Sequence, residues 1–242
     1  MEQTQLDKPA GCKNYGSIGH LPGSRRGPGD HGINEGQERI CTLKPRDKHD
    51  SIIVQEKLDG SNVGVLRDGD NIIPLQRAGF RAVASPYLQH RLFHNWAWER
   101  RGQFLEVLEP GERLVGEWLA MAHGTRYDLT GRPPFVAFDI MTGTTRLPFV
   151  SFCERINCKF ATPPLLGRGA MTIEAALEKL GENGFYGAID QAEGCVWRIE
   201  RKGKVDFLAK YVRPNKVDGK YFPNISGTSE VWNWTPPLAE TA

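Results

Sequence analysis

Several things are missing from this 242-residue chain, and each absence narrows what it can be. No apolar run approaches the about 20 residues that a membrane-spanning helix needs. The stretch from Met1 to Lys13 has no apolar core of the kind that marks a secretory signal. A cytoplasmic protein with no membrane partner is therefore the expectation. The five cysteines (Cys12, Cys41, Cys153, Cys158, Cys195) are odd in number and form no CxxC pair, which points to reduced thiols and leaves no zinc-type ligand spacing. A GxxxxGK[ST] loop occurs nowhere, so a P-loop kinase or ATPase is excluded. The net charge of only +2 provides no broad cationic field, and any contact with nucleic acid must come from a local patch.

What is present is ordinary for a globular protein: 39% hydrophobic and 25% charged residues, enough for one domain with an extension. Residues 1–49 read as an irregular N-terminal arm, rich in Gly and Pro, without helical or strand period. It is either a poorly ordered arm or a loop that wraps the domain and offers Arg25 and Arg26 to a phosphate. Tyr15, Ile18 and Leu21 make ordering plausible, since a flexible linker rarely carries them. Residues 50–225 read as the main domain and 226–242 as a C-terminal tail that frays.

Strand signals begin near residue 50. "SIIVQEK" and "NVGVLRDGDNIIPLQ" alternate or run apolar, the latter with an Asp-Gly turn, which reads as a hairpin. Ser85 reads as an N-cap with Pro86 at the first helical position, ahead of Leu88, Leu92, Phe93 and Trp96 at helical spacing. "ERLVGEW" and "PFVAFDI" are further strands. Thr172 caps a second helix with Ile173, Ala176, Leu177 and Leu180 on one face. "GCVWRIERKGKVDFLAKYV" reads as a hairpin turning at Lys202-Gly203. Strands and helices do not alternate, so the expectation is an α+β fold of mostly antiparallel sheets flanked by helices.

Strands disfavour buried charge unless it is paired. Yet single charges recur in apolar strand contexts: Lys57 after "IIVQE", Glu117 in "LVGEWLA", Asp139 in "VAFDI", Glu193 opening "EGCVWRI", Lys210 in "DFLAKYV". Any one of these reads most simply as a satisfied edge residue or a structural ion pair. Five together, two cationic and three anionic, suggest a polar cleft between sheets.

The order and local form of these segments resemble the covalent nucleotidyltransferases, the ATP-dependent RNA and DNA ligases and capping enzymes. Lys57-Leu58-Asp59-Gly60 resembles their KxDG motif, which alone is weak. It is followed by Gly116-Glu117-Trp118, "FVAFDI", "EGCVWR" and "FLAKYV", resembling motifs III, IIIa, IV and V in the family's order across residues 52–213. Glu56 before the lysine and Asn62 five after it are similar to the RNA ligase 2-like branch. The last third of the chain is too short for the oligonucleotide-binding barrel of DNA ligases and capping enzymes, so none is expected.

The resemblance implies an ATP-dependent RNA ligase joining 5′-phosphate and 3′-hydroxyl ends, in a nicked duplex or otherwise, through a lysyl-AMP intermediate. A minimal DNA or polynucleotide ligase and an inactive nucleic-acid-binding module are the alternatives. It implies Lys57 as nucleophile and Lys210 on the α-phosphate. Glu117 and Glu193 would hold Mg²⁺ or Mn²⁺, with Asp59 contributing. Phe138 would stack on adenine, with Phe135 as its competitor. Glu56 would meet base or ribose, Arg77 the nucleotide or the 5′-phosphate, and Asn62 the nucleic-acid end. Gly60 would let the backbone approach the nucleotide. Lys57 must attack as a neutral amine, so its pKa of about 10.4 should fall to roughly 7–8 through burial and nearby positive charge, supplied by Lys210 and a bound metal. Where motif V carries a second basic residue this chain has Val212, and Arg213 or Lys216 are the candidate replacements. "AMAHGTRYD" has no assigned role: His123, Arg126 and Tyr127 either line a groove or form a turn.

Overall fold

The computed structural model describes residues 7–236. In chain order the elements are β1 (Gly19–His20), α1 (Glu35–Thr42), β2 (Asp50–Lys57), β3 (Ser61–Asp68), β4 (Asn71–Gln76), a 3₁₀ turn (Ala82–Ala84), α2 (Leu88–Glu99), α3 (Arg101–Val107), β5 (Arg113–Trp118), β6 (Phe135–Thr142), β7 (Thr145–Arg146), α4 (Phe149–Ile156), β8 (Leu165–Arg168), α5 (Ile173–Leu180), β9 (Gly194–Arg201), β10 (Lys204–Val212) and α6 (Pro223–Ser226). The strands form two five-stranded sheets, ordered β1-β10-β9-β2-β8 and β4-β3-β5-β6-β7, and neither closes into a barrel. All named pairings are antiparallel except β1 with β10. The α+β expectation therefore holds, with both hairpins where the turn chemistry placed them.

The period-2 alternation of the strands assigns each sheet one apolar face and one face toward the other sheet. On β10, Ala209 and Tyr211 pack with Trp197 and Ile199 of β9 and with Leu180 of α5, while Leu208, Lys210 and Val212 face the space between the sheets. The second sheet buries its far face against α2, α3 and α4 through Phe93, Trp96, Phe104, Trp118, Phe135 and Phe152. The edge-to-face and tilted ring pairs of this cluster, such as Phe93 with Trp118 at 5.3 Å between centroids, are the favourable aromatic geometries.

Three features differ from the sequence reading, and the arm takes the ordered one of its two alternatives. Residues 35–42 of the arm are helical, capped by Asn34 and Gln37 in a reciprocal capping box, because the cap compensates for a short, polar segment with little period. From residue 7 onward the arm packs on the domain: β1 extends the first sheet, and Asn14, Tyr15 and Leu21 are buried. α2 starts at Leu88 rather than Pro86, since Ser85 Oγ is taken up by His90 Nδ1 at 2.7 Å. The tail is docked at least to residue 234. Trp234 packs edge-on against Trp118 at 5.6 Å, and Asn233 donates to the Leu119 carbonyl at 2.8 Å. The tail residues beyond 236 lie outside those described.

Candidate active site

The two sheets meet at a cleft of about 360 Å³, within the range of small-ligand sites. Ten residues that the resemblance assigned to the site line it: Glu56, Lys57, Asp59, Gly60, Asn62, Arg77, Glu117, Phe138, Glu193 and Lys210. Lys57 ends β2, Glu117 stands near the end of β5, Glu193 immediately precedes β9, and Lys210 points inward from β10.

Lys57 is the centre of this arrangement. Its Nζ donates to Glu193 Oε2 at 2.5 Å and to the Leu58 carbonyl at 3.4 Å. Burial acts to lower its pKa, but Glu193, then Glu117 and Asp59, raise it above the ordinary lysine range. Burial therefore does not bring the expected lowering by itself: the surrounding charge is carboxylate, and it outweighs burial. Lys210 itself is lowered, first by burial and then by Lys57. Its Nζ lies 3.8 Å from Asp30 Oδ1 of the arm. Burial pushes Glu117 and Glu193 up to about 7 despite the favourable charge of Lys57. Two carboxyls raised by burial into one cleft suit a divalent cation. A pair of carboxylates offers hard oxygen ligands, the chemistry that suits an ion that keeps much of its water, as Mg²⁺ does.

The loop after Lys57 is fixed from several sides. The Asp59 N–H donates to Tyr127 Oη at 2.9 Å, and Gly60 N–H to Glu117 Oε1 at 3.1 Å. Asp59 Oδ2 accepts from Gly124 N–H at 2.9 Å and Thr125 Oγ1 at 3.1 Å, with Lys216 Nζ at 3.2 Å. The close approach that requires glycine at 60 is to protein backbone: a Cβ there would meet the Trp118 carbonyl at 2.5 Å. "HGTRYD" divides its roles. His123 lines the cleft, Tyr127 is buried beneath Asp59, and Arg126 turns outward to Asp190 at 3.1 Å.

Glu56 is buried, its Oε2 accepting from Phe185 N–H at 2.8 Å while Oε1 has no partner among the described residues. Burial raises its pKa against the backbone donors of Phe185 and Tyr186. Phe138 forms part of the cleft wall and meets Tyr15 edge-on at 5.1 Å, whereas Phe135 is sealed in the aromatic core. Asn62 Oδ1 accepts from Asn14 Nδ2 at 3.1 Å. Arg77 is exposed at the cleft edge.

The residues missed from the sequence come mostly from the arm: Tyr15, His20 and Asp30 also line the cleft. Only the aromatic and aliphatic residues of the arm hinted at this. Arg198 was missed too: it lines the cleft joined to Asp139, one of the five strand charges conspicuous in the sequence, with Arg198 Nη1 2.7 Å from Asp139 Oδ1. Arg213 is directed away, to the Ala192 and Gly181 carbonyls at 3.1 and 2.6 Å.

Comparison with known proteins follows the same outline. Among solved structures, a Naegleria gruberi RNA ligase mutant with AMP and Mn superposes with a TM-score of 0.50 at 18% identity, over 83% of this chain and 60% of that one. A mutant of the same enzyme with ATP and Mn gives 0.49 at 19%, over 83% and 60%, and an apo mutant 0.49 at 19%, over 69% and 50%. At such identity the likeness is one of fold, and this chain spans 50% to 60% of those chains. No curated protein matches the sequence. The RNA ligase family profile matches residues 50–212. That span is more than half of the chain and runs from β2 to the end of β10, with Lys57, Glu117, Glu193 and Lys210 inside it, and the chain belongs to the RNA ligase family.

Proposed function

We propose that this protein is an ATP-dependent RNA ligase that joins 5′-phosphate and 3′-hydroxyl RNA ends, at nicks in a duplex among them, through a lysyl-AMP intermediate on Lys57. The observation that carries this reading is the convergence of Lys57, Glu117, Glu193 and Lys210 on one cleft within the span that the RNA ligase family matches. The likeness in fold to a Naegleria gruberi RNA ligase with AMP and Mn supports it.

The chemistry assigns a task to each group. Lys57 Nζ, after losing a proton, forms a bond to the α-phosphorus of ATP as the bond to the pyrophosphate oxygen breaks. A 5′-phosphate oxygen of RNA then attacks that phosphorus, and Lys57 leaves as the amine, taking a proton back. A 3′-hydroxyl finally attacks the activated 5′-phosphorus, loses its proton and expels AMP. Lys210 faces the α-phosphate as a fixed positive charge through the first two steps. Glu56, with one oxygen unpartnered among the described residues, accepts from the base or ribose, and Phe138 stacks on adenine. Asn62 and Arg77 stand at the cleft edge for the nucleic-acid end. Glu117 and Glu193 would hold Mg²⁺ or Mn²⁺, which when bound neutralises phosphate charge. Binding there would also draw Glu193 away from Lys57, removing the largest influence that keeps the amine protonated.

Intact-mass analysis after incubation with ATP and Mg²⁺ tests the reading. Wild type should gain one AMP and Lys57→Ala none. The adduct should then pass to 5′-phosphorylated RNA in preference to DNA. No adduct with ATP, using either metal on protein first stripped with pyrophosphate, overturns it. Equal transfer to DNA ends would replace it with a polynucleotide ligase.

A further inference from the structure

The cleft is lined by five lysines or arginines, and they are not equally free to meet a ligand. Lys57 is engaged by Glu193. Arg198 is buried between Asp139 and Glu200. Lys210 lies deep, beside Asp30. Arg25 and Arg77 remain near the mouth. Their settings differ: Arg77 is exposed, whereas Arg25 has a pinned backbone and a partner that water can take.

The backbone is pinned on β10. The Arg25 N–H donates to the Val212 carbonyl at 3.0 Å, and the Val212 N–H donates to Ser24 Oγ at 2.9 Å. Arg25 thus arrives beside Val212, an inward-facing position of β10 two residues beyond Lys210 that carries no charge of its own. The cations that follow β10 in the chain do not fill that place: Arg213 points away and Lys216 is committed to Asp59 and Thr125. Arg26 lies against Gly32 instead. The guanidinium of Arg25 pairs with Asp218, which also lines the cleft, so the pair bridges the arm and the segment after β10. Asp218 is 64% exposed and Arg25 29%. An ion pair this open contributes little, and a multiply charged phosphate group offers the guanidinium stronger, bidentate hydrogen bonds.

We infer that Arg25 receives the β- and γ-phosphates of the incoming nucleoside triphosphate, exchanging Asp218 for them, and so holds the pyrophosphate that leaves when Lys57 is adenylylated. The inference rests on the reading of the cleft as an ATP site. It makes Asp218 a competitor for Arg25 that the triphosphate must displace, and it confines the role of Arg25 to the one step in which a triphosphate is present.

That confinement supplies the test. The full chain is assayed in two ways: the rate of lysyl-AMP formation against ATP concentration, and the sealing of chemically pre-adenylylated RNA without ATP. Arg25→Ala should raise the ATP concentration for half-maximal adenylylation about tenfold and leave sealing of pre-adenylylated RNA near the wild-type rate. Asp218→Asn, at an exposed position that tolerates change, should lower that ATP concentration by removing the competitor. It decides the matter should Arg25→Ala fold poorly. Equal losses of Arg25→Ala in both assays would assign Arg25 a structural role and overturn the inference. So would a loss confined to pre-adenylylated RNA, which would place an RNA phosphate there, or wild-type ATP dependence in both variants. An absence of adduct in wild type itself would instead remove the ATP reading on which the inference stands.

Discussion

Lys216 Nζ lies 3.2 Å from Asp59 Oδ2, both side chains largely buried, so a cation from beyond β10 holds the loop that presents Lys57. Gly124 and Thr125 donate to the same carboxylate oxygen. Removing one partner of a buried pair leaves the other charge without compensation. Lys216→Ala is expected to cost about 3 kcal/mol of stability, read from urea denaturation. The loosened loop should also slow lysyl-AMP formation more than it changes ATP affinity, because Asp59 is two residues from Lys57, the proposed nucleophile. A variant with wild-type stability and wild-type adduct rate would show that the loop is held without Lys216.

Gly184 sets the height of the lid over Glu56. Its φ is +62, and a Cβ there would meet Glu56 Oε1 at 2.2 Å and the carboxyl carbon at 2.7 Å. Gly184→Ala therefore combines backbone strain with a clash against a buried side chain. We expect a loss of about 1–2 kcal/mol in stability and weaker ATP binding, since Glu56 must move away from Phe185 N–H to make room. Calorimetric titration of ATP into the variant checks the second part, and unchanged affinity would mean that Glu56 does not contact the nucleotide.

The legible parts of this protein are those where local chemistry and tertiary role coincide. β9 and β10 could be read as a hairpin because Lys202-Gly203 fits a tight turn, and Thr172 announced α5 because its hydroxyl accepts from Ala175 N–H. Lys57, Glu117, Glu193 and Lys210 were conspicuous as charges in apolar strand contexts, and they meet in one cleft because each faces inward from its strand or, for Glu193, from the residue just before β9. The arm was opaque for the opposite reason. Asn14, Tyr15 and His20 owe their burial to partners on β3, β6 and β10, which no local period in the arm encodes. The pairing of Lys57 was not legible because the sequence shows how many carboxylates are near in chain order, but not that Glu193 sits 2.5 Å away across 136 residues.

Asp50 anchors the start of β2. Its carboxylate is buried and accepts from Arg46 Nη2 at 2.8 Å, the Arg46 N–H at 2.7 Å and Arg201 Nη1 at 2.8 Å. Burial acts to raise its pKa, but the Arg46 and Arg201 bonds pull it down from 3.8 to about 2. A depressed carboxylate contributes stability that is present above its unfolded pKa and lost as pH falls through the folded one. The window therefore runs from 3.8 down to about 2, and the contribution at stake is about 2 kcal/mol. The stability gap between wild type and Asp50→Asn should be widest near neutral pH and shrink by about that amount on acidification. Urea midpoints measured across the window check this, and a gap independent of pH would refute it.

Asp139 and Arg198 join the two sheets across the floor of the cleft. Asp139 on β6 is fully buried, and Arg198 on β9 is nearly so. Arg198 Nη1 approaches Oδ1 at 2.7 Å, Tyr15 Oη donates to Oδ2 at 2.7 Å, and Arg146 Nε stands 3.4 Å from the same oxygen. The Arg198 Nε is 3.2 Å from Glu200, whose Oε1 in turn accepts from Phe149 N–H at 2.7 Å. Asp139→Ala would leave Arg198 and Arg146 without their shared acceptor, at a cost of about 3–5 kcal/mol. The two sheets form opposite walls of the cleft, so the change should act on the site as well as on folding. Arg198→Met alone should be similarly costly, and Asp139→Ala with Arg198→Met should cost less than the sum of the two, with a coupling of about 1–3 kcal/mol. The double variant should still bind ATP more weakly than wild type, because the ion pair that ties the sheet of Phe138 to the sheet of Lys210 is then gone. Additive stability losses would place the two side chains in separate networks. Restored ATP affinity in the double variant would show that the pair stabilises the fold without setting the width of the cleft.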